Sequence, residues 1–225
     1  MKTHRSLQRY AIARWRNAAA ELWQRPAPLP NPSPANTPHP PVYLHAGIYM
    51  SAHCLAPLAQ HLQRAGWTVR LQEQRHNIDP VPAMADRLAT AIAAEPADQV
   101  DVVAHSLGGI IAILADAQLR ARRQDKIRRL ITLATPYRGC PLGSVFGARA
   151  RPYVRHGSNW FDQQQDQTLL SKLVAITPAW DDIVWSRTSL APPQIRRHHQ
   201  LPLLGHVTPL HDAIAWRTIK QILIH

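Results

Sequence analysis

The stretch that most limits what this chain can become is residues 100–109, Val-Asp-Val-Val-Ala-His-Ser-Leu-Gly-Gly. Val100, Val102, Val103 and Ala104 form a short, β-branched, apolar run, the composition of a strand buried on both faces. His105-Ser106-Leu107 reads as a very tight turn. Gly108 and Gly109 then open a helical run over 110–123, with Ile110, Ile111, Leu114 and Ala115 at helical spacing. A serine at such a strand–turn–helix corner has its hydroxyl lifted off the carboxyl edge of the sheet. The helix N-terminus behind it supplies free backbone N–H groups and the positive end of the dipole. An alkoxide nucleophile and a developing oxyanion need both. The turn forces the backbone against its neighbours, so the positions two before and two after the serine must be small, and they are Ala104 and Gly108.

The chain has 225 residues, enough for one domain with an appendage and a sizeable core. No apolar run approaches the ~20 residues that span a bilayer. The basic N-terminus lacks the continuous apolar core of a secretory signal, because Arg9, Arg14, Arg16 and Glu21 interrupt it, and a cytoplasmic protein is expected. Cys54 and Cys140 suit free thiols better than a disulfide framework, with a single bridge as the alternative. Lys and Arg number 26 against 14 Asp and Glu, a net charge of +12. That charge attracts phospholipid headgroups or nucleic acid, and equally fits an Arg-rich proteome. Neither zinc-finger spacing, an RNA-binding signature nor a glycine-rich phosphate loop occurs, so no nucleic-acid partner is expected.

Three regions follow one another. Residues 1–25 read as a basic amphipathic helix, with Leu7, Ala11, Trp15, Ala18 and Leu22 on one face. It suits an anionic membrane surface, as a peripheral anchor, or docking on its own domain. Residues 26–41 hold eight prolines and read as a stiff linker, so 26–40 separates the helix from a domain over 41–225. In that domain 41–48 reads as a first buried strand running into a loop, and further strands are predicted over 67–71, 100–104, 127–134, 173–177 and 200–204. Helices are predicted over 51–65 (Ser51 as cap, Gly66 as stop), from an Asp79 cap with Pro80 at the first position, over 110–123 and over 213–223. Residues 137–171 lack a clear period. Alternating strands and helices predict an α/β fold, a mostly parallel sheet of about six strands flanked by helices, with polar site residues at the strands' carboxyl ends.

A serine nucleophile needs a histidine base and a carboxylate to orient it. Among thirteen histidines position must decide. His206, in Leu203-Leu204-Gly205-His206-Val207, follows the last strand. His198 and His199 precede that strand, at its far edge, and His211 is the remaining rival. Two candidate acids, Asp181 and Asp182, stand after the preceding strand in Ala179-Trp180-Asp181-Asp182-Ile183-Val184.

Ala-His-Ser-Leu-Gly resembles the nucleophile elbow of α/β-hydrolases, in the Ala-x-Ser-x-Gly variant of small bacterial lipases. Thr135-Pro136-Tyr137-Arg138-Gly139 is similar to the Thr-Pro run of lipase-like esterases, Asp181-Asp182-Ile183-Val184 to their Asp-x-Ile-Val segment, and Gly205-His206 to their Gly-His. The four occur in family order over about 41–225. The resemblance implies a Ser106–Asp181–His206 triad and an oxyanion hole from the amides of Leu107 and of the loop after the first strand. That loop, His45-Ala46-Gly47-Ile48, departs from the family's His-Gly by one inserted alanine. Aligning Gly47 makes Ile48 the second donor.

The expected activity is therefore a serine ester hydrolase of lipase or carboxylesterase type, acting through an acyl-enzyme on an ester or lipid, with no metal or cofactor implied. A thioesterase or acyltransferase would use the same triad. A non-catalytic hydrolase-fold protein tethered through residues 1–25 is the reading of another class. Tyr137, Phe146, Tyr153, Trp160 and Phe161 either line an acyl site under a 137–171 cover or anchor an ordinary surface excursion.

Overall fold

The computed structural model describes residues 37–72, 77–144, 147–164 and 166–225. The expected helix over 1–25 and most of the linker lie outside them. Residues 37–40 lie against the domain: the His39 ring stacks on Trp67 at 4.3 Å, and the hydroxyls of Thr37 and Thr68 are 3.2 Å apart.

Six strands form one sheet, all parallel: β1 (Val42–His45), β2 (Val69–Leu71), β3 (Val100–His105), β4 (Ile127–Leu133), β5 (Leu173–Trp180) and β6 (His198–Leu204), in the order β2-β1-β3-β4-β5-β6. The helices connecting or following them are α1 (Ala56–Arg64), α2 (Val81–Ala93), α3 (Leu107–Ala121), α4 (Gly147–Val154), α5 (Trp160–Gln164), α6 (Gln167–Lys172), α7 (Arg187–Leu190) and α8 (Ala213–Ile224). Among the described residues no helix is long and apolar enough to cross a membrane.

The period of two along a strand divides the core. Val100, Val102 and Ala104 of β3 pack with Met84, Leu88 and Ile92 of α2 and with Ile110 and Ile111 of α3. Val103 belongs to the other cluster, with Leu58 and Leu62 of α1 and Ile219 and Leu223 of α8. Every residue of β3 is buried, which is why its apolar run is so continuous. Asp101 and His105 are its polar residues, and Asp101 is the charged one. Its carboxylate, fully buried, accepts bonds from Arg128 Nε at 3.0 Å and Nη2 at 2.5 Å, and Arg128 and Arg129 each donate to Leu223 O at 3.2 Å. The pair thus ties β3 and β4 to the carbonyl end of α8, where cations are favourable.

Four expectations shift. α2 starts at Val81: Pro80 is its N-cap and Pro82 lies in its first turn, both where a helix has no use for an N–H, while Asp79 pairs with Arg87 at 2.7 Å instead of capping. Ser51 precedes a 3₁₀ turn, Ala52–Leu55, without a side-chain cap bond, and α1 proper begins at Ala56. β6 starts at His198, so His198 and His199 lie within the strand. As an edge strand it exposes them, and they carry no apolar signal. Residues 137–171 hold α4, α5, most of α6 and a 3₁₀ turn, Pro141–Ser144. These pieces run four to eight residues, too short to display a helical period, and α4 contains Pro152.

Cutting the Asp101–Arg128 pair should be asymmetric. Arg128→Ala leaves a carboxylate buried without its cation and should cost about 3–5 kcal/mol. Asp101→Ala leaves a partly exposed guanidinium that water can solvate, and should cost less. Equal losses in urea unfolding would contradict this account.

Candidate active site

The site is built on Ser106, which joins β3 directly to α3. Its φ is +54, a conformation that L residues rarely adopt, and the surroundings enforce it. The Ser106 N–H donates to Leu133 O of β4 at 2.8 Å. Its carbonyl accepts from Thr135 Oγ1 at 3.1 Å and from the Gly109 N–H at 3.0 Å. The glycines after it have steric reasons. A Cβ on Gly108 would lie 2.6 Å from Ala46 O and 2.8 Å from His45 O, and one on Gly109 would lie 2.0 Å from Thr135 Oγ1. Thr135 of the Thr-Pro run is thus a support for the turn.

His206 follows β6 and comes to the serine from 100 residues away. Its Nε2 lies 2.8 Å from Ser106 Oγ, and its Nδ1 lies 2.8 Å from Asp181 Oδ2 and 3.1 Å from Asp181 Oδ1. Asp181, at the end of β5, also accepts the N–H groups of Ile183 (2.9 Å) and Val184 (2.7 Å) at Oδ1. This loop anchorage fixes the carboxylate. All three side chains are nearly or fully shielded from water. Burial alone disfavours the His206 imidazolium, but the Asp181 carboxylate, its hydrogen bond and the charge of Asp182 outweigh it, so the His206 pKa is raised above the ordinary value.

The structure brings Asp181 and His206 to Ser106. It does not bring His198 or His199 there: they sit at the amino end of β6, where His198 Nε2 lies 2.8 Å from Thr177 Oγ1. His211 lies beyond the 3₁₀ turn Thr208–Leu210, exposed. Asp182, the other carboxylate of the pair, accepts the backbone N–H of His206 at 2.6 Å. His105, unremarked in the sequence, is buried and donates from Nε2 to the His206 carbonyl at 3.0 Å, with the two rings 4.9 Å apart.

Ile48 and Leu107 line the same small space as Ser106, with Pro136, Cys140, Val154, Ile183 and Val184 as its other walls. Its volume is about 10 Å³, room for about one water. The loop carrying Ile48 is held by Asn77, whose Nδ2 donates to Ala46 O and to Gly47 O at 2.8 Å each. Gly47 sits so close over the elbow that a Cβ there would be 3.0 Å from Ser106 Cβ. Of the two readings of the aromatics in 137–171, the described ones follow the second, as core anchors. Tyr137 and Phe161 are fully buried in the core with ring centroids 4.7 Å apart, the Tyr137 hydroxyl is 2.6 Å from Thr132 Oγ1, and Trp160 packs beside them. Tyr153 packs partly buried against the same cluster, and Phe146 lies outside the described residues. Both cysteines are free thiols. Burial raises Cys140 to about 11, so it stands beside Ser106 as a neutral apolar wall. Among the described residues no group of three or more His, Cys, Asp or Glu side chains is placed to hold a metal ion.

A family model described as the PGAP1-like alpha/beta domain matches residues 47–216, 170 of the 225 residues. The chain belongs to the PGAP1-like alpha/beta domain family. This family match and the solved structures it resembles make it a member of the α/β-hydrolase superfamily. The mature form of Bacillus licheniformis lipase BlEst2 superposes with a TM-score of 0.62 at 16% identity, over 88% of this chain and 96% of that one. Aspergillus fumigatus lipase B gives a TM-score of 0.63 at 17% identity, over 86% of this chain and 55% of that one. The naproxen esterase of Bacillus subtilis gives 0.59 at 11% identity, over 84% and 85%. Comparison with curated proteins finds no match. In this PGAP1-like chain the elbow, the Thr-Pro turn and the two segments supplying Asp181 and His206 all fall within the matched range.

His105 gives this domain an acid sensitivity of known sign. Burial, with His206 nearby, lowers its pKa from 6.5 to about 3. Below pH 6.5 the unfolded chain takes up a proton that the folded chain refuses, so stability falls as pH drops from 6.5 towards 3. Thermal melts of wild type and His105→Gln across that range should show a shallower fall in the variant. Parallel curves would contradict the buried neutral histidine.

Proposed function

We propose that this protein is a serine carboxylic-ester hydrolase working through an acyl-enzyme. One observation carries the reading: Ser106 Oγ, His206 and Asp181 form a continuous chain of hydrogen-bond contacts, each within 2.8 Å, at the turn of a strained strand–helix corner. In the proposed reaction Ser106 Oγ attacks the ester carbonyl carbon while His206 Nε2 takes its proton. Asp181 orients the ring and stabilises the imidazolium. The N–H groups of Leu107, at the first position of α3, and of Ile48 donate to the oxyanion. Collapse breaks the C–O bond to the alcohol, which leaves with the proton from His206. Water, deprotonated by the same nitrogen, then releases the acid and restores Ser106.

Two features bear on the substrate. The walls over Ser106 are apolar and close, which suits the acyl side of an ester. Of the six large hydrophobic residues exposed among the described ones, Tyr49, Ile78, Leu142, Trp185 and Leu204 lie at or beyond the carboxyl ends of strands, the edge that carries Ser106. Only Ile224 lies elsewhere. An apolar rim on that edge favours an ester presented by an amphiphile or a lipid surface over a freely soluble one. The basic segment 1–25 is proposed to add an anionic membrane surface as partner.

Hydrolysis of p-nitrophenyl esters of increasing acyl length tests the proposal. Ser106→Ala should lower kcat by at least about 10³-fold. Activity that survives in Ser106→Ala would sink the reading. With so little space over Ser106, acetate and butyrate should outpace acyl chains of twelve carbons by roughly tenfold. The acid limb of the kcat/KM profile should lie above pH 6.5, because His206 must be unprotonated to accept and its pKa is raised.

A further inference from the structure

We propose that Asp182 and His105 are positioning residues that clamp the main chain of His206 from both sides, Asp182 accepting its N–H and His105 donating to its C=O. The inference rests on the reading of His206 as the base for Ser106.

His206 lies in no helix or strand. It follows Gly205, at φ +106, and precedes the 3₁₀ turn Thr208–Leu210. A residue in such a connection is ordinarily the least fixed part of a parallel sheet. Here its two peptide groups are held by side chains of other segments: its N–H by Asp182 Oδ1 at 2.6 Å, its carbonyl by His105 Nε2 at 3.0 Å. The clamps come from the residues adjoining the other two members of the constellation. His105 precedes Ser106, and Asp182 follows Asp181. Each dipeptide therefore gives one side chain to the imidazole ring and the other to the main chain of the same histidine. A regular strand would send neighbours to opposite faces. The positive φ at Ser106 and the departure of the chain from β5 after Trp180 cancel that alternation. The three reacting side chains are thus set relative to one another by a closed ring of short contacts.

The chemistry of each clamp is specific. A carbonyl only accepts, so His105 Nε2 carries its proton. Its Nδ1 is buried with no hydrogen-bond partner among the described residues, so it is bare and the ring is neutral. A second imidazolium there, 4.9 Å from His206, would oppose the cation that His206 must become. Asp182 does the reverse, adding a negative charge beside that cation. The groups facing the His206 ring are Asp181, Asp182 and His105, and His211 acts on His105 from the segment before α8.

The test uses the full chain and a fluorophosphonate, a serine-directed reagent that needs no knowledge of the substrate. His105→Leu and Asp182→Ala should slow labelling of Ser106 about 10–100-fold with saturation concentrations little changed, because geometry and not binding is lost. His105→Gln keeps a donor at a similar reach and should recover most of the rate. Asp182→Asn keeps the acceptor but removes the charge. It should label within a few-fold of wild type at high pH, with the acid limb moved to lower pH by about half a unit or more. Wild-type rates in His105→Leu and Asp182→Ala would overturn the clamp, as would losses that neither conservative variant restores with the acid limb unmoved. A second measurement separates this from the esterase reading. In Ser106→Ala, which cannot react, the His206 titration followed by NMR should move to lower pH with Asp182→Asn and its ring signals should broaden with His105→Leu. If wild type is not labelled yet these changes occur, the hydrolase reading fails and the clamp stands. If they do not occur, the clamp fails whatever the reactivity.

Discussion

Everything at the site depends on the conformation of Ser106. A residue with a Cβ is held at φ +54 between β3 and α3 because its own N–H and C=O are both committed, to β4 and to the turn that follows it. Strain of this kind costs on the order of 1–3 kcal/mol and persists only where the surroundings over-determine it. Here they do so with little slack. Gly108 lets the helix start press against the carbonyls of His45 and Ala46, and Gly109 lets it pass Thr135. The same crowding fixes the loop that holds Ile48, since Gly47 rests on Ser106 itself. One strained dihedral therefore sets the hydroxyl, the helix N-terminus and the neighbouring loop together.

Legibility followed how local the physics was. The six strands and their parallel arrangement could be read because buried strands must be apolar and their connecting helices must be amphipathic. β3 is the clearest case, all of it buried. β6 could be read only from Gln200 onward, because an edge strand leaves His198 and His199 in water. The short helices α4 to α6 left no periodic trace. They pack through a few large side chains, Trp160 and Phe161 among them, and this tertiary packing decides them.

The site divides the same way. Ser106, Asp181 and His206 sit where fold class and resemblance together place such residues. What the sequence does not display is what holds them. Asn77 pins the loop of Ile48 across 31 residues of separation, and His105 reaches the carbonyl of His206 across 101. Nothing in their local context marks either. The resemblance singles out Asp181 but says nothing of Asp182, whose side chain turns to the main chain of His206. The aromatics of 137–171 stayed open between two readings for a related reason: an aromatic in an aperiodic stretch signals burial, but not whether a ligand or the core will cover it.

The distance along the chain between Ser106 and His206 has a consequence for how this protein is handled. Contacts that span so many residues carry the loop-closure entropy of the whole intervening chain. The hydroxyl and the imidazole meet only when β3 and β6, at different depths of the sheet, are both in place. A partly folded or clipped molecule can keep much of its helix and still lack the constellation altogether. On the proposed mechanism, covalent capture at Ser106 is a titration of molecules, and its stoichiometry counts those that have completed the fold.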